Sequence, residues 1–394
     1  MDLVINKDEC CGCTACKNIC PKHAITMEED EQGYLYPKID INICVDCGLC
    51  KKVCIFNSSK IKKEINIPKV YAAKNKNESI RITSSSGGLF VQISDYILKK
   101  NGAIYGAQFD ENFNVCHKRA TTKIERDKFK GSKYIQSDLD DIFVKVKKDV
   151  ESGEDVLFTG TPCQIAGLKS FLGEKKDLSK LYFCDVVCHG APSPKIFEDY
   201  KLFMQKKYAS KIKNINFRSK TIPRQVQDIK IVFENGKEFN KVAVNDVFYR
   251  LFLDDIILRP SCYNCKFASI YREGDITLAD YWGIEKSMPE FQDYKGVSLV
   301  MVNSSKGKAI FDGIYDTLII KESTIDECMQ PNLKGPCKKN HKVDLFWKHY
   351  YEKGFEFVAK KYAYYGFWGT IKKMLLKIFN RIKRISISVA KFYE

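Results

Sequence analysis

Two short runs of cysteine constrain the fold of this chain more than any other feature of its sequence. The first run has the spacing C-x2-C-x2-C-x3-C, ends before Pro21, and consists of Cys10, Cys13, Cys16 and Cys20. The second run repeats this spacing at Cys44, Cys47, Cys50 and Cys54. In two-cluster ferredoxins, three thiolates of such a run bind one 4Fe-4S cube and the fourth binds the other cube. We therefore expect one cluster on Cys10, Cys13, Cys16 and Cys54, and a second on Cys44, Cys47, Cys50 and Cys20.

Zinc is the alternative occupant of these runs, because thiolates at short spacing also bind zinc. Zinc sites, however, usually pair two C-x2-C hooks, whereas each run here supplies four cysteines. Gly12 and Gly48 leave room for backbone N–H groups to approach the cluster sulfurs. The extra thiol of Cys11, and the presence of Ile55 where the first run has a proline, remove no ligand. The spacing therefore favours iron-sulfur clusters over zinc.

The number and placement of the cysteines favour metal ligation over disulfide bonding. The chain has 17 cysteines among 394 residues, and nine of them precede residue 55. Its N-terminus has no basic segment followed by an apolar one, and no later run reaches the roughly 18 apolar residues of a membrane-spanning helix. These features predict a cytoplasmic protein, in which thiols stay reduced. The 44% hydrophobic composition is sufficient for two or three folded domains.

The net charge of +16 predicts anionic partners. A basic surface attracts phosphates, carboxylate-rich ligands, acidic proteins and anionic lipid headgroups. Nucleic acid is not expected as a partner, because the sequence has no zinc-finger spacing with histidines, no aromatic RNA-binding signature and no Gly-rich phosphate loop ending in Lys-Ser or Lys-Thr. The charge by itself does not choose among the remaining partners.

After the cysteine runs, the sequence has the pattern of a mixed-sheet α/β domain. The polar segment 57–70 predicts a linker, after which strand-like apolar runs alternate with helical periodicity. An Asn-Gly pair within IKIVFENGKEF predicts a hairpin, and hence a partly antiparallel or mixed sheet. We predict an α+β and α/β protein with four regions: a small ferredoxin domain over 1–66, an α/β domain in two parts over 67–150 and 151–340, and a basic tail over 341–394.

Two loops of the α/β region have both a functional and an ordinary interpretation. In TSSSGGLF, residues 83–90, serines and glycines precede an apolar-periodic helix, whose free N–H groups favour an anion such as phosphate. The alternative is an ordinary helix with a serine cap. The loop KGSKYIQS, residues 130–137, contains groups that suit phosphate and an aromatic ring, or it is a solvated basic loop.

Four later cysteines lie in predicted turns. Cys163 and Cys188 each follow a strand, so we expect them at the same edge of the sheet, where ligands gather. Cys262 and Cys265 form a C-x2-C pair that would complete a third 4Fe-4S site. Because buried free cysteine is common, an ordinary core role is the alternative, and Cys184 competes as a ligand. We expect no role for Cys116, Cys328 and Cys337.

Two polar residues near these cysteines are candidates for chemistry. His189 follows Cys188 directly and is the candidate for proton transfer, because imidazole titrates near neutral pH. The alternative is a histidine that shapes the turn. Asp280, close to Trp282 at the end of a predicted strand, either orients a ligand or caps the turn.

Taken together, these stretches resemble the beta-subunit family of coenzyme F420 hydrogenase and dehydrogenase, placed behind a two-cluster ferredoxin module. The resemblance runs from about residue 10 to about residue 355 through SSSGGL, FKGSKYIQS, TGTPCQIAGL, DVVCHGAPSP, LRPSCYNCKFA and DITLADYWGI. It implies a flavoprotein with FAD and a third 4Fe-4S cluster, in which 67–150 and 151–340 correspond to the two parts of the family's domain. The implied cluster ligands are Cys163, Cys188, Cys262 and Cys265. The implied contacts of flavin or deazaflavin are Ser85, Ser86, Gly87, Gly88, Lys130, Ser132, Lys133, Tyr134 and Gln136.

The function implied by this resemblance is electron relay between 4Fe-4S clusters and a two-electron hydride carrier such as coenzyme F420, by way of FAD. Its partners would be an electron-transfer protein or a partner oxidoreductase subunit. One departure concerns TIPRQVQ after Lys220, where relatives often carry a Gly-Trp pair, which leaves the substrate open. The alternatives are a ferredoxin-linked reductase with another substrate, such as a precursor of cell-surface polysaccharide, and an electron-transfer subunit without catalysis.

The basic tail has an amphipathic pattern. Residues 370–392 contain seven Lys or Arg and no acidic residue. One apolar stripe recurs at alternating four- and three-residue steps, at Ile371, Leu375, Ile378, Ile382, Ile385, Val389 and Phe392. This pattern predicts a helix that lies on the inner face of an anionic membrane, as a peripheral contact, or that docks on the domain or on a partner.

Overall fold

The described residues of the computed structural model are 3–4, 6–57, 67–173, 177–220 and 227–366. Within these ranges, no helix is both long enough and apolar enough to cross a membrane. The amphipathic helix predicted over 370–392 lies outside the described residues.

The described residues form thirteen strands and fourteen α-helices. The strands are β1 (Ile25–Glu29), β2 (Leu35–Ile39), β3 (Lys69–Asn75), β4 (Ala103–Phe109), β5 (Val115–Ala120), β6 (Val156–Gly160), β7 (Leu181–Val186), β8 (Ile212–Ser219), β9 (Asp228–Phe233), β10 (Glu238–Val242), β11 (Ile276–Asp280), β12 (Ser298–Val302) and β13 (Leu318–Ser323). The helices are α1 (Ala15–Ile19), α2 (Leu49–Val53), α3 (Glu78–Ile82), α4 (Leu89–Leu98), α5 (Lys123–Asp127), α6 (Ile142–Glu151), α7 (Pro162–Leu172), α8 (Pro194–Tyr208), α9 (Val247–Leu253), α10 (Ile284–Ser287), α11 (Ser305–Ile314), α12 (Ile325–Cys328), α13 (Pro331–Lys334) and α14 (Val343–Tyr362).

The N-terminal region is built from two matching halves. In each half a glycine, Gly12 or Gly48, adopts φ of +69° and turns the chain toward the next cysteine. The short helices α1 and α2 follow, and each ends at the fourth cysteine of its run, Cys20 or Cys54, where the backbone becomes extended. Strands β1 and β2 pair antiparallel between the halves. The repeated spacing thus produces a repeated local structure.

The larger region is built on one eight-stranded sheet with the order β13-β3-β12-β11-β7-β6-β4-β5. Strands β11, β7, β6 and β4 run parallel, whereas the pairs made by the other four strands are antiparallel. Helices cover both faces of its centre, since Val156 and Phe158 pack in one core with α6 and α7, and Leu157 packs in another with α4 and α11. The predicted mixed α/β architecture with a small ferredoxin-like N-terminal region is confirmed.

The hairpin predicted at the Asn-Gly pair forms between β9 and β10, with Gly236 at φ +79° in its turn. It belongs, however, to a separate three-stranded sheet with the order β10-β9-β8. The main sheet is therefore mixed for a different reason, because β12, β3, β13 and β5 join its parallel centre in antiparallel pairs.

The N-terminal region packs directly on α7 of the larger region. Ala15 and Val53 are buried in the same apolar core as Leu168. A Cβ atom at Gly167 would lie 2.8 Å from Sγ of Cys13, so the absence of a side chain there allows the close approach. The first cysteine run is consequently held against the start of a helix that follows the sheet.

An aromatic core joins β8, β9 and β10 to helices α8, α9 and α14. The rings of Phe217, Tyr249 and Phe252 from this core contact Tyr134, with centroids 5.2 to 5.6 Å apart. Tyr134 is one of the residues predicted to contact a flavin. The core therefore supports one wall of the cavity in which the predicted site residues meet.

Candidate redox centre

The four thiols predicted for the first cluster lie together. Burial raises the pKa of the Cys10 thiol, and the neighbouring thiols of Cys13 and Cys54 raise it further. Burial likewise raises the pKa of Cys16, again with contributions from Cys13, Cys10 and Cys54. The fourth cysteine of the second run thus lies among the first three of the first run. Four partly buried thiols whose anionic forms repel one another are a donor set that fits a cationic cluster, which binds thiolates.

Arg259 lies beside this thiol group and was missed in the sequence. Its side chain is almost fully buried and donates hydrogen bonds to the carbonyl oxygens of Cys10 at 2.7 Å and Leu35 at 2.9 Å, and to Oε1 of Gln136 at 2.8 Å. Its Nη2 lies 3.6 Å from Sγ of Cys10. A buried guanidinium at this position offsets the negative charge of thiolate ligands. The one signal in the sequence is its place three residues before Cys262.

The four thiols predicted for the second cluster line a small cavity of about 50 Å³, namely Cys20, Cys44, Cys47 and Cys50. This group lies nearer the surface, since Cys47 is exposed and a Cβ atom at Gly48 would meet nothing within 4 Å. The donor set again fits a 4Fe-4S cube with a crossed ligand.

The four later cysteines also come together, although they derive from three distant segments. Cys163 and Cys188 follow the adjacent parallel strands β6 and β7, whose carboxyl ends meet at one edge of the sheet. Burial raises the pKa of Cys188, and the thiols of Cys262, Cys163 and Cys265 raise it further. Sγ of Cys262 accepts a hydrogen bond from the N–H of Ala191 at 3.3 Å. The arrangement fits a third four-thiolate site, and its ligation by iron stays a prediction.

Two further cysteines are now placed. Cys11 packs with Cys13 and Cys163, and so lies between the first and the third thiol groups. Cys184 packs instead in the core with Leu157, on β7, and the acids that raise its pKa after burial are Asp185 and Asp275. The competition of Cys184 with the third thiol group stays a prediction.

One cavity of about 450 Å³ extends from the third thiol group to the two loops with anion-binding character. All four cysteines of that group line it, namely Cys163, Cys188, Cys262 and Cys265. The predicted flavin contacts that line it are Ser85, Ser86, Gly88, Lys130, Ser132, Lys133, Tyr134 and Gln136. Gly87 does not line the cavity, because it is packed against the backbone of Ala73, whose oxygen would lie 2.5 Å from a Cβ atom.

The two loops are joined by hydrogen bonds at the cavity. Oγ of Ser85 accepts a bond from the N–H of Ser132 at 2.7 Å, and its hydroxyl lies 2.9 Å from that of Ser132. Helix α4 begins after Gly88, at φ +83°, and no side chain caps its first turn. The alternative of a serine-capped helix is therefore wrong. Leu89 and Phe90 of this uncapped turn line the cavity, where N–H groups favour an anion.

Arg218, in the FRSK segment, is a second functional residue that was missed. Its Nη1 lies 2.6 Å from Oδ2 of Asp280 and donates to the hydroxyl of Tyr134 at 3.3 Å, and Nη2 donates to the carbonyl oxygen of Ser85 at 3.1 Å. Asp280 thus orients a cation at the cavity. Arg218 in turn ties together the two loops predicted to hold a flavin.

Lys133 contributes a buried cation to the same wall. Burial lowers the pKa of its ammonium group to about 7. Its Nζ donates to the carbonyl oxygens of Lys130 and Gly131 at 2.9 and 3.2 Å. Among the described residues, no carboxylate forms an ion pair with it. An anion in the cavity would favour the charged form of this side chain.

His189 lies in the cavity wall together with two residues that were not linked to it in the sequence. Its Nε2 lies 2.8 Å from Oδ1 of Asp255, and Sγ of Cys337 lies 3.7 Å from its Nδ1. Burial lowers the pKa of His189, but Asp255 and Cys337 outweigh burial and raise it to about 10. The expectation that Cys337 has no role is therefore revised, because it contacts a candidate site residue.

Comparison with known proteins defines the class of this molecule. Residues 153–327 match the family described as the C terminus of the coenzyme F420 hydrogenase/dehydrogenase beta subunit, and residues 9–58 match the 4Fe-4S dicluster domain. The protein is thus an iron-sulfur electron-transfer protein of an oxidoreductase family. More particularly, residues 153–327 are similar to the C terminus of the coenzyme F420 hydrogenase/dehydrogenase beta subunit, and a match to the 4Fe-4S dicluster domain precedes them, which confirms the resemblance seen in the sequence.

Three proteins that are similar to this chain have F420 in their names. One subunit of the F420H2 dehydrogenase of Methanosarcina mazei is 21% identical over 341 residues, which cover 81% of this chain and 86% of that protein. The coenzyme F420-dependent sulfite reductase of Methanocaldococcus jannaschii is 31% identical over 178 residues, which cover 43% of this chain and 26% of that protein. A solved chain of the F420-reducing NiFe hydrogenase complex from Methanosarcina barkeri superposes with a TM-score of 0.46 and 16% identity, covering 75% of this chain and 91% of that one.

Proposed function

We propose that this protein is an iron-sulfur flavoprotein oxidoreductase that relays electrons between its clusters and a two-electron carrier such as coenzyme F420. When bound, 4Fe-4S clusters supply one-electron transfer, and FAD supplies hydride exchange with the carrier. The residues of this chain bind and orient these groups and set the charge around them. An electron-transfer protein or a partner oxidoreductase subunit would exchange electrons with it, in keeping with the name of the Methanosarcina mazei relative as a dehydrogenase subunit.

The observation that carries this proposal is the single cavity shared by a group of four thiols and the two loops with anion-binding character. Cys163 and Cys262 lie in one part of its wall, and Ser85 and Lys133 lie in another. Groups bound at the two parts would be neighbours without intervening protein. Proximity of this kind is the contribution that a protein makes to electron transfer between two bound cofactors.

The flavin end of the cavity supplies matching chemistry. The uncapped first turn of α4 and the cation of Lys133 suit the phosphates of FAD. Tyr134, backed by the aromatic core, and Gln136 suit the planar ring system and its polar edge. We assign Ser85, Ser86, Gly88, Lys130 and Ser132 to the same ligand as neighbours of these groups.

The charge of the chain suits an anionic carrier. The net charge of +16 is accompanied at the cavity by Arg218, which is held in place by Asp280. Coenzyme F420 is anionic, so a basic surface raises its local concentration. The segment 221–226, where the chain departs from the family, lies outside the described residues and leaves the identity of the carrier to experiment.

His189 is the candidate for the proton that accompanies hydride exchange, because it lies in the wall of this cavity. Substitution by Gln would keep the polar shape and remove the titrating group. A fall in the rate of hydride exchange at saturating carrier, with unchanged iron and flavin contents, would support this role. An unchanged rate would remove it.

The alternative of an electron-transfer subunit without its own substrate is distinguished by flavin content. Anaerobic purification, followed by quantitation of iron, sulfide and flavin, tests the proposal on the intact chain. We expect about twelve irons and one flavin per chain, and about eight irons in Cys163→Ser and in Cys262→Ser. Cys328→Ser, a buried cysteine outside the thiol groups, is the matched control and should keep all the iron. About eight irons in every form, without flavin, would contradict the proposal.

Reduction of coenzyme F420 by the purified protein with an artificial electron donor separates the two enzymatic candidates. Reduction supports the F420-linked function, whereas flavin turnover without F420 reduction favours a reductase for another substrate.

Contact with a membrane surface through residues 370–392 is a further part of the proposal. Deletion of the residues after Gly369 should abolish binding to anionic liposomes, and unchanged binding would end this idea.

A further inference from the structure

Three side chains of metal-ligating type meet outside the three thiol groups, and one of them, His189, lines the cavity. His189, Asp255 and Cys337 come from separate segments, and their ligand atoms all lie within 4.8 Å of one another. Nε2 of His189 is 2.8 Å from Oδ1 of Asp255 and 3.8 Å from Sγ of Cys337. We propose that these residues form a binding site for one divalent cation of the zinc class, with one nitrogen, one oxygen and one sulfur donor.

The separations of the donor atoms suit such a cation. Zinc bonds of about 2.0 Å to nitrogen and about 2.3 Å to sulfur place the two donors roughly 3.5 Å apart at a tetrahedral angle. The observed separation of Nε2 and Sγ is 3.8 Å, and Sγ is also 3.7 Å from Nδ1, so the imidazole ring must turn to direct Nε2 at a cation shared with the thiolate. The pair of Nε2 and Oδ1 at 2.8 Å would open by about half an ångström when a cation binds both atoms. The adjustment is within the reach of side-chain rotation.

Neighbouring groups hold the three ligands in place. The amide of Asn332, which is buried, donates to Sγ of Cys337 at 3.3 Å. The ring of Phe252 meets the imidazole of His189 edge to face, with centroids 4.9 Å apart. The hydroxyl of Tyr263 donates to the carbonyl oxygen of Asp255 at 2.8 Å. Such outer partners orient metal ligands and tune their affinity.

The hydrogen bonding and the backbone conformation of Asp255 favour a bound cation over a simple ion pair with His189. Among the described residues, its buried Oδ1 accepts no hydrogen bond, although Nε2 of His189 is close. Its backbone also adopts φ +56°, a conformation that costs energy in a residue other than glycine and that clusters at functional sites. A cation would satisfy Oδ1 directly. Without a cation, the thiol of Cys337 donates to the carbonyl oxygen of His189 at 3.0 Å, and the zinc titration below decides between proton transfer by His189 and a cation bound at its Nε2.

The site would have an open fourth position beside the cavity. His189, Asn332 and Pro336 all line the cavity wall. Zinc sites with three protein ligands keep the fourth position for water or for an oxygen of a bound molecule. The cation would therefore offer a coordination point to a carboxylate or carbonyl oxygen of the cavity's occupant. The inference requires neither the flavin nor the third cluster.

The test uses anaerobically purified holoprotein titrated with Zn²⁺ after removal of loosely bound metal. We expect one zinc per chain with the iron content unchanged, and an X-ray absorption edge spectrum of zinc with one sulfur neighbour among nitrogen and oxygen neighbours. Cys337→Ser and Asp255→Asn should each weaken zinc binding by roughly 100-fold. Cys116→Ser, a partly buried cysteine on β5, should leave the affinity unchanged.

Three outcomes would overturn the proposal. The first is absence of zinc binding in the wild-type holoprotein. The second is binding that persists at full affinity in both Cys337→Ser and Asp255→Asn. The third is zinc with four sulfur neighbours and a matching loss of iron, which would mean that zinc replaces iron in a thiol group.

Discussion

The two cysteine runs have the same spacing and nearly the same backbone, yet their thiol groups lie in different surroundings. The first group is enclosed by the larger region, with Arg259 fully buried against it and Gly167 of α7 in contact with Cys13. The second group lies near the surface, with Cys47 exposed and open space beside Gly48. The spacing thus determines which atoms can hold a cluster, whereas the surrounding fold determines charge and access to solvent.

Under the proposed function, this difference would give the two groups different positions along the electron path. The second group is accessible to a partner protein. The first group faces inward, and Cys11 packs between its Cys13 and the Cys163 thiol at the cavity. Four sets of variants test whether the two groups differ in this way.

Removal of Arg259 should cause the largest loss of stability and of iron, and the iron should be lost only from the first group. Arg259→Ala leaves buried acceptors without their donor and removes a buried charge, which costs about 3 kcal/mol or more. We expect the thermal unfolding midpoint of the anaerobic holoprotein to fall by roughly 5–10 °C, with loss of about four irons. Lys51→Ala, on the exposed side of the second run, should change the midpoint only slightly. Equal effects of the two variants would show that the groups are not electrostatically distinct.

The two equivalent glycines provide a matched pair. Both adopt φ +69°, so substitution by alanine strains the backbone equally, by about 1 kcal/mol. A Cβ atom at Gly12 would also lie 2.5 Å from Nε2 of Gln136, whereas at Gly48 it meets nothing within 4 Å. Gly12→Ala should therefore lose roughly 1–3 kcal/mol more than Gly48→Ala, through overpacking. Thermal unfolding of both variants measures the difference, and similar midpoints would argue against tight enclosure of the first group.

Access to solvent predicts two rates of iron release. Because Cys47 is exposed, a ferrous chelator should remove iron from the second group faster than from the first. Stopped-flow or manual mixing under anaerobic conditions would then show a fast and a slow phase. Cys47→Ser should remove the fast phase, and Cys13→Ser should remove part of the slow phase. A single phase in the wild-type protein would mean that exposure does not control cluster lability.

Substitution of Cys11 should have the smallest effect. Cys11 faces inward and has no predicted role as a ligand. The variant Cys11→Ser should therefore keep the full iron content, and its free energy of unfolding should change by about 1 kcal/mol. The loss of about four irons, as expected for Cys13→Ser, would instead identify Cys11 as a ligand. Iron quantitation on the two variants side by side decides between them.

The parts of the site that could be predicted from the sequence are those encoded by short spacing. The C-x2-C-x2-C-x3-C runs, the positions of Cys163 and Cys188 after strands, and the C-x2-C pair at Cys262 were all recognisable, because a few neighbouring residues suffice to place them. The hairpin at the Asn-Gly pair was also correct as a local element, but its membership of a separate sheet depends on long-range pairing.

The local loops of the thiol groups could be predicted from the sequence alone, since they depend on residue type and on separations of a few residues, whereas ligation of clusters by these thiols stays a prediction. Tertiary folding was needed to bring Arg259 to Cys10, Arg218 to Ser85, and Cys337 to His189, which are 249, 133 and 148 positions apart. Such partners are selected by how sheets and helices pack around a common cavity. No local pattern encodes that packing, because it results from the burial of many apolar side chains at once.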